Sequence, residues 1–342
     1  QFRRTTDLNS TTSSPPPVDW SNSNILITGG TGSFGQKFVQ RMIEKYNPRR
    51  LAVLSRDELK QSEMKLRFPE SENSPMRYFL GDVRDYDRLR RAFSGVDIVI
   101  HAAAMKQVPA AEADPFEAVL TNIMGAKNVI DAAIDTGVSK VLTLSTDKAV
   151  GPANLYGGTK FVAEKLFVQG NAYASTDTTF ACSRYGNVIG SRGSVIPIFK
   201  QQRENGSLTI TDDRMTRFWI TLDQGVDFVT KCVELMTGGE IFVPKLPVMK
   251  ITDLAKVIAP DSKIKITGVR AGEKIHEEMV SVNEARTTYE YDDYYCIMPA
   301  YHSWPVEPAP GGTKTPDDFV YSSESADQSV SEEELKRIVE EL

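Results

Sequence analysis

The chain has 342 residues, 40% hydrophobic and 25% charged, which suits one large globular domain or two moderate ones. A formal net charge of −6 argues against a nucleic-acid binder, which needs a basic face, although a few local cations can still hold a diphosphate. Cys182, Cys232 and Cys296, like His101, His276 and His302, are scattered without disulfide or metal-ligand spacing. No metal is therefore expected, and a reducing, cytoplasmic setting fits. No apolar run approaches the ~18 residues of a membrane span.

Residues 1–23 are rich in Ser, Thr, Asn and Pro, including Pro15-Pro16-Pro17, and read as a flexible arm lacking the apolar core of a signal peptide. From Asn24 onward short apolar runs alternate with amphipathic segments, the pattern of βαβ units around a parallel sheet. Strands are expected at Ile25–Ile27, Leu51–Leu54, Tyr78–Leu80, Ile98–Ile100 and Val141–Leu144. Phe34, Phe38, Met42 and Tyr46 stand at helical spacing, and Met124–Ile134 repeats the pattern. The expected architecture is α/β: a Rossmann-type doubly wound parallel sheet over 24–185, with a return segment at about 218–245. A smaller C-terminal substrate-binding α/β region takes 186–217 and 246–342. Within it Leu254–Ile258 predicts a turn or two of helix, and 303–329, rich in Pro, Gly, Ser and Asp, a surface excursion. Ser331-Glu332-Glu333-Glu334 is a capping-box pattern opening a last helix through Val339.

The first strand runs into Thr28-Gly29-Gly30-Thr31-Gly32-Ser33-Phe34-Gly35 and then a helix. Gly29, Gly32 and Gly35 permit a tight turn, close backbone approach and close helix packing, with a pyrophosphate on the helix N-terminal amides. Glycine-rich turns are common elsewhere; the strand before and the helix after favour a dinucleotide here. The second strand ends in Ser55-Arg56-Asp57-Glu58-Leu59-Lys60, where an acidic residue usually selects NAD. Arg56 can grip a 2′-phosphate bidentately and Lys60 adds a second cation, which favours NADP, while Asp57 leaves NAD open. Asp82, beside Val83, would accept from the adenine amino group. Ala102 and Ala103, after His101, offer small side chains beside which a flat ring can lie.

Leu144-Ser145-Thr146-Asp147-Lys148 precedes Tyr156-Gly157-Gly158-Thr159-Lys160. Tyr156 and Lys160 lie four apart, on one helix face. A tyrosine base at neutral pH must drop from a pKa of ~10 to ~7, about 4 kcal/mol. One ammonium at ~4 Å and an effective dielectric of ~20 supplies about that much, so Lys160 has the right magnitude. Ser145 or Thr146 can hydrogen-bond a substrate hydroxyl. A lone Tyr-x-x-x-Lys arises by chance in many proteins; its position after a phosphate-binding unit gives it weight.

TGGTGSFG, SRDELKQSE, GDVRD, HAAA, STDKA, NLYGGTK, RYGNVIGSRGSV, MTRFWIT, GGEIFVPK and RAGEKIHE occur in one order from about Asn24 to the C-terminus. As an ordered set they resemble the inverting UDP-N-acetylglucosamine 4,6-dehydratases of the extended short-chain dehydrogenase/reductase superfamily, which begin pseudaminic acid synthesis. The resemblance implies that Tyr156 takes the proton of the sugar 4-hydroxyl as hydride passes from C4 to NADP. The C4 ketone then acidifies C5–H, Lys148 takes that proton, and Asp147 helps protonate the departing 6-hydroxyl. Hydride returns to C6, and protonation of C5 from the opposite face inverts it. The retaining dehydratases typically carry Asp-Glu where this chain has Asp147-Lys148. A neighbouring carboxylate should raise the lysine pKa and disfavour its basic form, a tension that burial or a positive nicotinamide would oppose.

The same resemblance adds Val188 to the cofactor side. On the substrate side it adds Lys106, Asn187, Arg192, Gly193, Ser194 and Val195, with Arg217 and Arg270 for the diphosphate and Glu273 for the uridine ribose. It also implies a homo-oligomer. Two other readings are weighed: a nucleotide-sugar 4-epimerase, which needs no C5 base, and a non-catalytic NADP-sensing protein, which would commonly lack Tyr156 or Lys160.

Overall fold

Short runs of β-branched and aliphatic residues, each followed by an amphipathic helix, build a wide and mainly parallel sheet. A computed structural model describes residues 17–174, 177–190, 195–326 and 329–340. β1 (Asn24–Thr28), β2 (Arg50–Ser55), β3 (Met76–Leu80), β4 (Ile98–His101), β5 (Lys140–Thr146) and β6 (Thr179–Tyr185) are parallel. They lie in the order β6-β5-β4-β1-β2-β3. The order reverses between β1 and β4, and at such a switch point the carboxyl ends of the strands leave a crevice. Ile25, Leu26, Ile27, Val53, Val99 and Leu142 are wholly buried, as parallel strands covered on both faces require.

Beyond β6, β7 (Asn187–Val188), β8 (Ser207–Ile210) and β9 (Thr216–Ile220) leave the large sheet, and β10 (Ile241–Pro244) returns to pair parallel with β6. β11 (Val248–Lys250) lies antiparallel to β9, and β12 (Lys263–Ile266) parallel to β8. β13 (Glu278–Val280) pairs with the later Tyr321–Ser322 strand. β14 (Thr288–Glu290), β15 (Tyr294–Ile297) and β16 (Thr313–Lys314) extend the large sheet past β10 in antiparallel fashion. A separate apolar cluster, with Ile196, Phe199, Leu208, Ile210, Trp219, Leu254, Ile258, Leu335 and Ile338, forms the core of the smaller region.

Several expectations change in detail. The first helix is regular over Ser33–Arg41 and then widens into a π turn, Met42–Tyr46; a similar turn, Leu120–Met124, leads into the helix Gly125–Thr136. Leu254–Ile258 belongs to a longer helix, Ile251–Ile258, and the last helix spans Glu332–Glu340 with the Glu334 amide donating to Ser331 Oγ at 3.2 Å. The surface excursion at 303–329 is not wholly superficial. Its two-residue strands are too short to show period-2 alternation, yet Tyr321 is buried and its hydroxyl accepts from the Leu246 amide at 2.7 Å. Residues 1–16 of the arm lie outside the described residues. Its end is packed: Trp20 is buried against Tyr46, ring centroids 5.2 Å apart, and its indole N–H donates to Glu234 at 2.8 Å.

Candidate active site

The carboxyl ends of β1 to β6 open into a cleft of about 910 Å³ whose far wall comes from the smaller region. On the sheet side it is lined by Gly29, Thr31, Gly32, Ser33, Phe34, Gly35, Ser55, Arg56, Lys60, Asp82, Val83, Ala102 and Ala103. The cradle is built for close approach. A Cβ at Gly35 would fall 2.4 Å from Gly30 Cα, so only glycine lets the helix start this close to the strand end. Gly32 brings no side chain to cap the helix, which leaves its N-terminus to bind an anion. This geometry fits a dinucleotide pyrophosphate.

At the ribose end the charges are not all equal. Asp57 is the N-cap of the helix Glu58–Arg67, accepting from the Lys60 amide at 3.0 Å, and it also pairs with Lys60 Nζ at 2.7 Å. Both residues are thus engaged with each other. Arg56 is 62% exposed at the cleft and reaches Asp82 only at 3.8 Å. Asp82 itself is gripped by Arg84, which donates to it through its amide and guanidinium at 2.7–3.0 Å. Burial works against the Asp82 charge, but Arg84 outweighs it and holds the carboxyl below its ordinary value. Oδ2 takes both guanidinium bonds while Oδ1 accepts only from the Arg84 amide, so Asp82 lines the cleft with Oδ1 only partly engaged.

β5 delivers the reacting groups. Its last residues, Ser145 and Thr146, run into a 3₁₀ turn, Asp147–Ala149, and the Thr146 hydroxyl donates to Asp147 Oδ1 at 2.9 Å. Lys148 Nζ donates to the same oxygen at 3.1 Å. Ser145 Oγ is buried and makes no hydrogen bond. The helix Leu155–Tyr173 begins beside this turn, with Asn154 Oδ1 capping the Gly157 amide at 2.8 Å. A Cβ at Gly157 would lie 2.2 Å from the Lys148 carbonyl oxygen; glycine there lets Tyr156 and Lys148 share the wall.

Lys160 lines the cleft together with Tyr156. Its buried ammonium donates to the Leu144 carbonyl at 2.6 Å, and burial, partly opposed by Glu164, pulls its pKa down. Burial pushes the Tyr156 phenol up to about 12; the Lys148 ammonium opposes this, Asp147 reinforces it, and the Thr146 hydroxyl lowers it again. For Lys148, burial favours the neutral amine, but the Asp147 and Glu277 carboxylates overcome it and raise the pKa above the ordinary value.

The cleft is also lined by Lys106, Asn187, Val188, Val195, Arg217, Arg270 and Glu273. Arg192, Gly193 and Ser194 lie outside the described residues. Arg217 donates to the Thr216, Ile275 and Lys274 carbonyls at 2.7–2.9 Å, so it ties β9 to the 274–277 segment and has less to offer a diphosphate than expected. Arg270 is 74% exposed, 3.5 Å from Glu273, whose other oxygen is buried without a hydrogen bond. Sequence reasoning missed Glu277, buried beside Lys148 at 3.5 Å; within RAGEKIHE it resembles any other charged residue.

The family described as polysaccharide biosynthesis protein matches residues 25–299. The chain belongs to this family. An inverting UDP-N-acetylglucosamine 4,6-dehydratase of Campylobacter jejuni subsp. jejuni serotype O:23/36 (strain 81-176) is 52% identical over 330 residues, 94% of this chain and 98% of that protein. A UDP-glucose 4-epimerase of Rickettsia canadensis (strain McKiel) is 43% identical over 285 residues, 81% of this chain and 83% of its own. Among solved structures, Pen from Bacillus thuringiensis aligns with a TM-score of 0.85 at 36% identity, covering 95% of this chain and 98% of that one. The family member described here thus has the extended short-chain dehydrogenase/reductase fold, with the expected doubly wound sheet. Among the described residues no helix is long and apolar enough to cross a membrane, and no His, Cys, Asp and Glu cluster suits a metal.

Proposed function

We propose that this enzyme is a hydro-lyase that dehydrates UDP-N-acetylglucosamine across C5 and C6 with inversion at C5, using NADP. The observation that carries the reading is the Asp147–Lys148 pair, 3.1 Å apart, on the same wall as Tyr156. A 4-epimerase needs the tyrosine but no base at C5, so the pair favours dehydration over the activity named for the Rickettsia relative. Arg56, exposed at the ribose end while Asp57 caps a helix, supports a 2′-phosphate and hence NADP.

A bound nicotinamide would supply the hydride acceptor for C4 and the hydride donor for C6. Tyr156 holds the 4-hydroxyl and takes its proton, with Lys148 and Thr146 stabilising the phenolate. A ketone at C4 acidifies C5–H, and Lys148 in its neutral form takes that proton from one face. Asp147 guides a proton to the departing 6-oxygen. Lys160 acts from behind, fixing the end of β5 through the Leu144 carbonyl. Asn187, Arg270 and Glu273 face the nucleotide portion of the substrate. Phe116, Leu120 and Met124, spaced four apart on one helical face, together with Phe161, remain exposed and form the surface for a second copy.

Incubation with UDP-N-acetylglucosamine in heavy water tests the reading. A 4-keto-6-deoxy product with deuterium at C5 and the inverted C5 configuration is expected by NMR. A C4 epimer with no exchange at C5 would replace the dehydratase reading with the epimerase one.

A further inference from the structure

Residues 268–271 form an exposed loop held between two fixed points. Before it the Thr267 amide donates to the Ile210 carbonyl at 2.9 Å, and after it the Gly272 carbonyl accepts from Asn154 Nδ2 at 2.9 Å. Gly268 and Gly272, with φ of 89° and 79°, turn the chain at its two ends in a region that favours glycine. The loop carries Arg270 and leads into Glu273, both of which line the cleft. Its own ties are slight. The Glu273 amide donates to the Arg270 carbonyl at 3.1 Å, and Glu273 Oε2 is buried without a hydrogen bond.

Asn154 joins this loop to the reacting end of the cleft. Its Oδ1 accepts from the Gly157 amide at 2.8 Å and caps the helix on which Tyr156 stands, while its Nδ2 reaches Gly272. Only one orientation of the carboxamide satisfies both partners, since an N–H donates and a carbonyl accepts. An aspartate would cap the helix but has no donor for Gly272, and a serine caps it without the reach. The approach is close: a Cβ at Gly272 would lie 3.1 Å from the Asn154 Cβ. Lys274 Nζ, bonded to the Val150 carbonyl, joins the same two segments before the helix begins. The segments therefore stay together without Asn154, whose bond sets their register.

We infer that Asn154 is a positioning residue: one carboxamide keeps the loop that faces the nucleotide in register with the Tyr156 hydroxyl. The nucleotide and the sugar 4-hydroxyl belong to one molecule, so a loop displaced along the cleft carries the sugar with it. Proton transfer needs the 4-hydroxyl roughly 2.6–3.2 Å from Tyr156, and a misplacement of ~1 Å can cost about 100-fold in rate. Contacts between loop and nucleotide survive such a shift, so the loss falls on turnover rather than on binding. This role rests on the part of the proposed function in which Tyr156 takes the 4-hydroxyl proton and the loop faces the nucleotide.

The test compares Asn154→Ser, Gly272→Ala and the double variant with the unaltered enzyme, using UDP-N-acetylglucosamine and NADP. Serine keeps the helix cap and adds no charge beside Tyr156; alanine at Gly272 strains the other side of the same contact. Asn154→Ser should lower kcat about 10-fold, the worth of one lost hydrogen bond, with the affinity for UDP by calorimetry within about threefold. Its thermal midpoint should stay within about 2 °C, because serine caps as asparagine does. Since both changes break one link, the double variant should be no slower than the slower single. An Asn154→Ser kcat within about twofold of the unaltered value, single effects that multiply, or a loss of turnover matched by a loss of UDP affinity overturns the coupling. A C4 epimer in place of the 4-keto-6-deoxy product overturns the dehydratase reading alone, since epimerisation also needs Tyr156 and its rate reads the same coupling.

Discussion

Replacing Arg184 by Met tests the clamp beneath the active-site helix. Arg184 lies on β6 with a side chain that is 0% exposed, and it faces Glu164 at 1% and Glu284 at 17%. It donates to Glu164 at 2.9 and 2.7 Å in a two-pronged pair, to Glu284 at 2.9 and 3.2 Å, and to the Met279 carbonyl at 2.8 Å. Glu164 is one helical turn beyond Lys160, and Met279 and Glu284 follow the segment that carries Glu277, so one guanidinium joins the parts that meet at Lys148. Removing one member of a buried pair costs about 3–5 kcal/mol, and here two carboxylates lose their cation together, so about 5 kcal/mol is expected. The midpoint of thermal unfolding should fall by roughly 10 °C.

The pH dependence carries the sign. Burial works against the Glu284 charge, but Arg184 outweighs it and holds the carboxyl below its ordinary value. In the unaltered protein its contribution is therefore present above the usual carboxylate range and lost on acidification through the depressed value. Without the guanidinium, burial is left to push the Glu284 carboxyl upward, and that part of the stability is lost as pH rises. The gap between Arg184→Met and the unaltered protein should be widest near pH 8 and narrow toward pH 5 in thermal melts at each pH. A gap under about 1 kcal/mol, or one that widens toward acid, would refute the clamp as described.

Lys148→Met should reduce dehydration by more than about 100-fold while NADP binding, followed by fluorescence titration, stays within a factor of ~3; retained turnover removes its role as C5 base. Arg56→Ala should weaken NADP about 10- to 100-fold and leave NAD unchanged, since a lost charge-assisted hydrogen bond is worth about 1.5–3 kcal/mol; equal weakening of both cofactors by calorimetry would deny the 2′-phosphate contact. Phe116→Asp places a charge where an 82% exposed ring now stands. It should shift sedimentation toward a smaller species without altering the melting temperature of the fold, and an unchanged sedimentation coefficient removes that face from the assembly.

The sheet and its cradle were legible because their causes are local. A strand such as Ile25–Ile27 followed by Gly29, Gly32 and Gly35 carries its own pattern, and the order of β1 to β6 follows from right-handed crossovers between such units. Asp147, Lys148 and Tyr156 were legible for the same reason, since a strand end and the next helix put them within a few residues of one another. Spacing alone could not show what else the Lys160 ammonium would bond. The i, i+4 rule places Lys160 on the face of Tyr156, yet the Leu144 carbonyl, four residues before Lys148, captures the Lys160 ammonium. The grip of Arg84 on Asp82, two residues away, was likewise invisible in the sequence. Glu277 was illegible for a different reason. Its environment is made by chain closure: Lys148 comes from the end of β5, Arg217 from β9, and Lys274 from the same loop. A carboxylate that reads in sequence as one charge among many becomes, on folding, a buried group whose Oε2 has no hydrogen-bond partner among the described residues. Lys148 sits between that carboxylate and Asp147, and the placement sharpens the tension its sequence raised. Both carboxylates hold the lysine protonated against its burial, so the basic form that a C5 step needs has to be favoured by a further positive charge in the cleft, such as a bound oxidised nicotinamide.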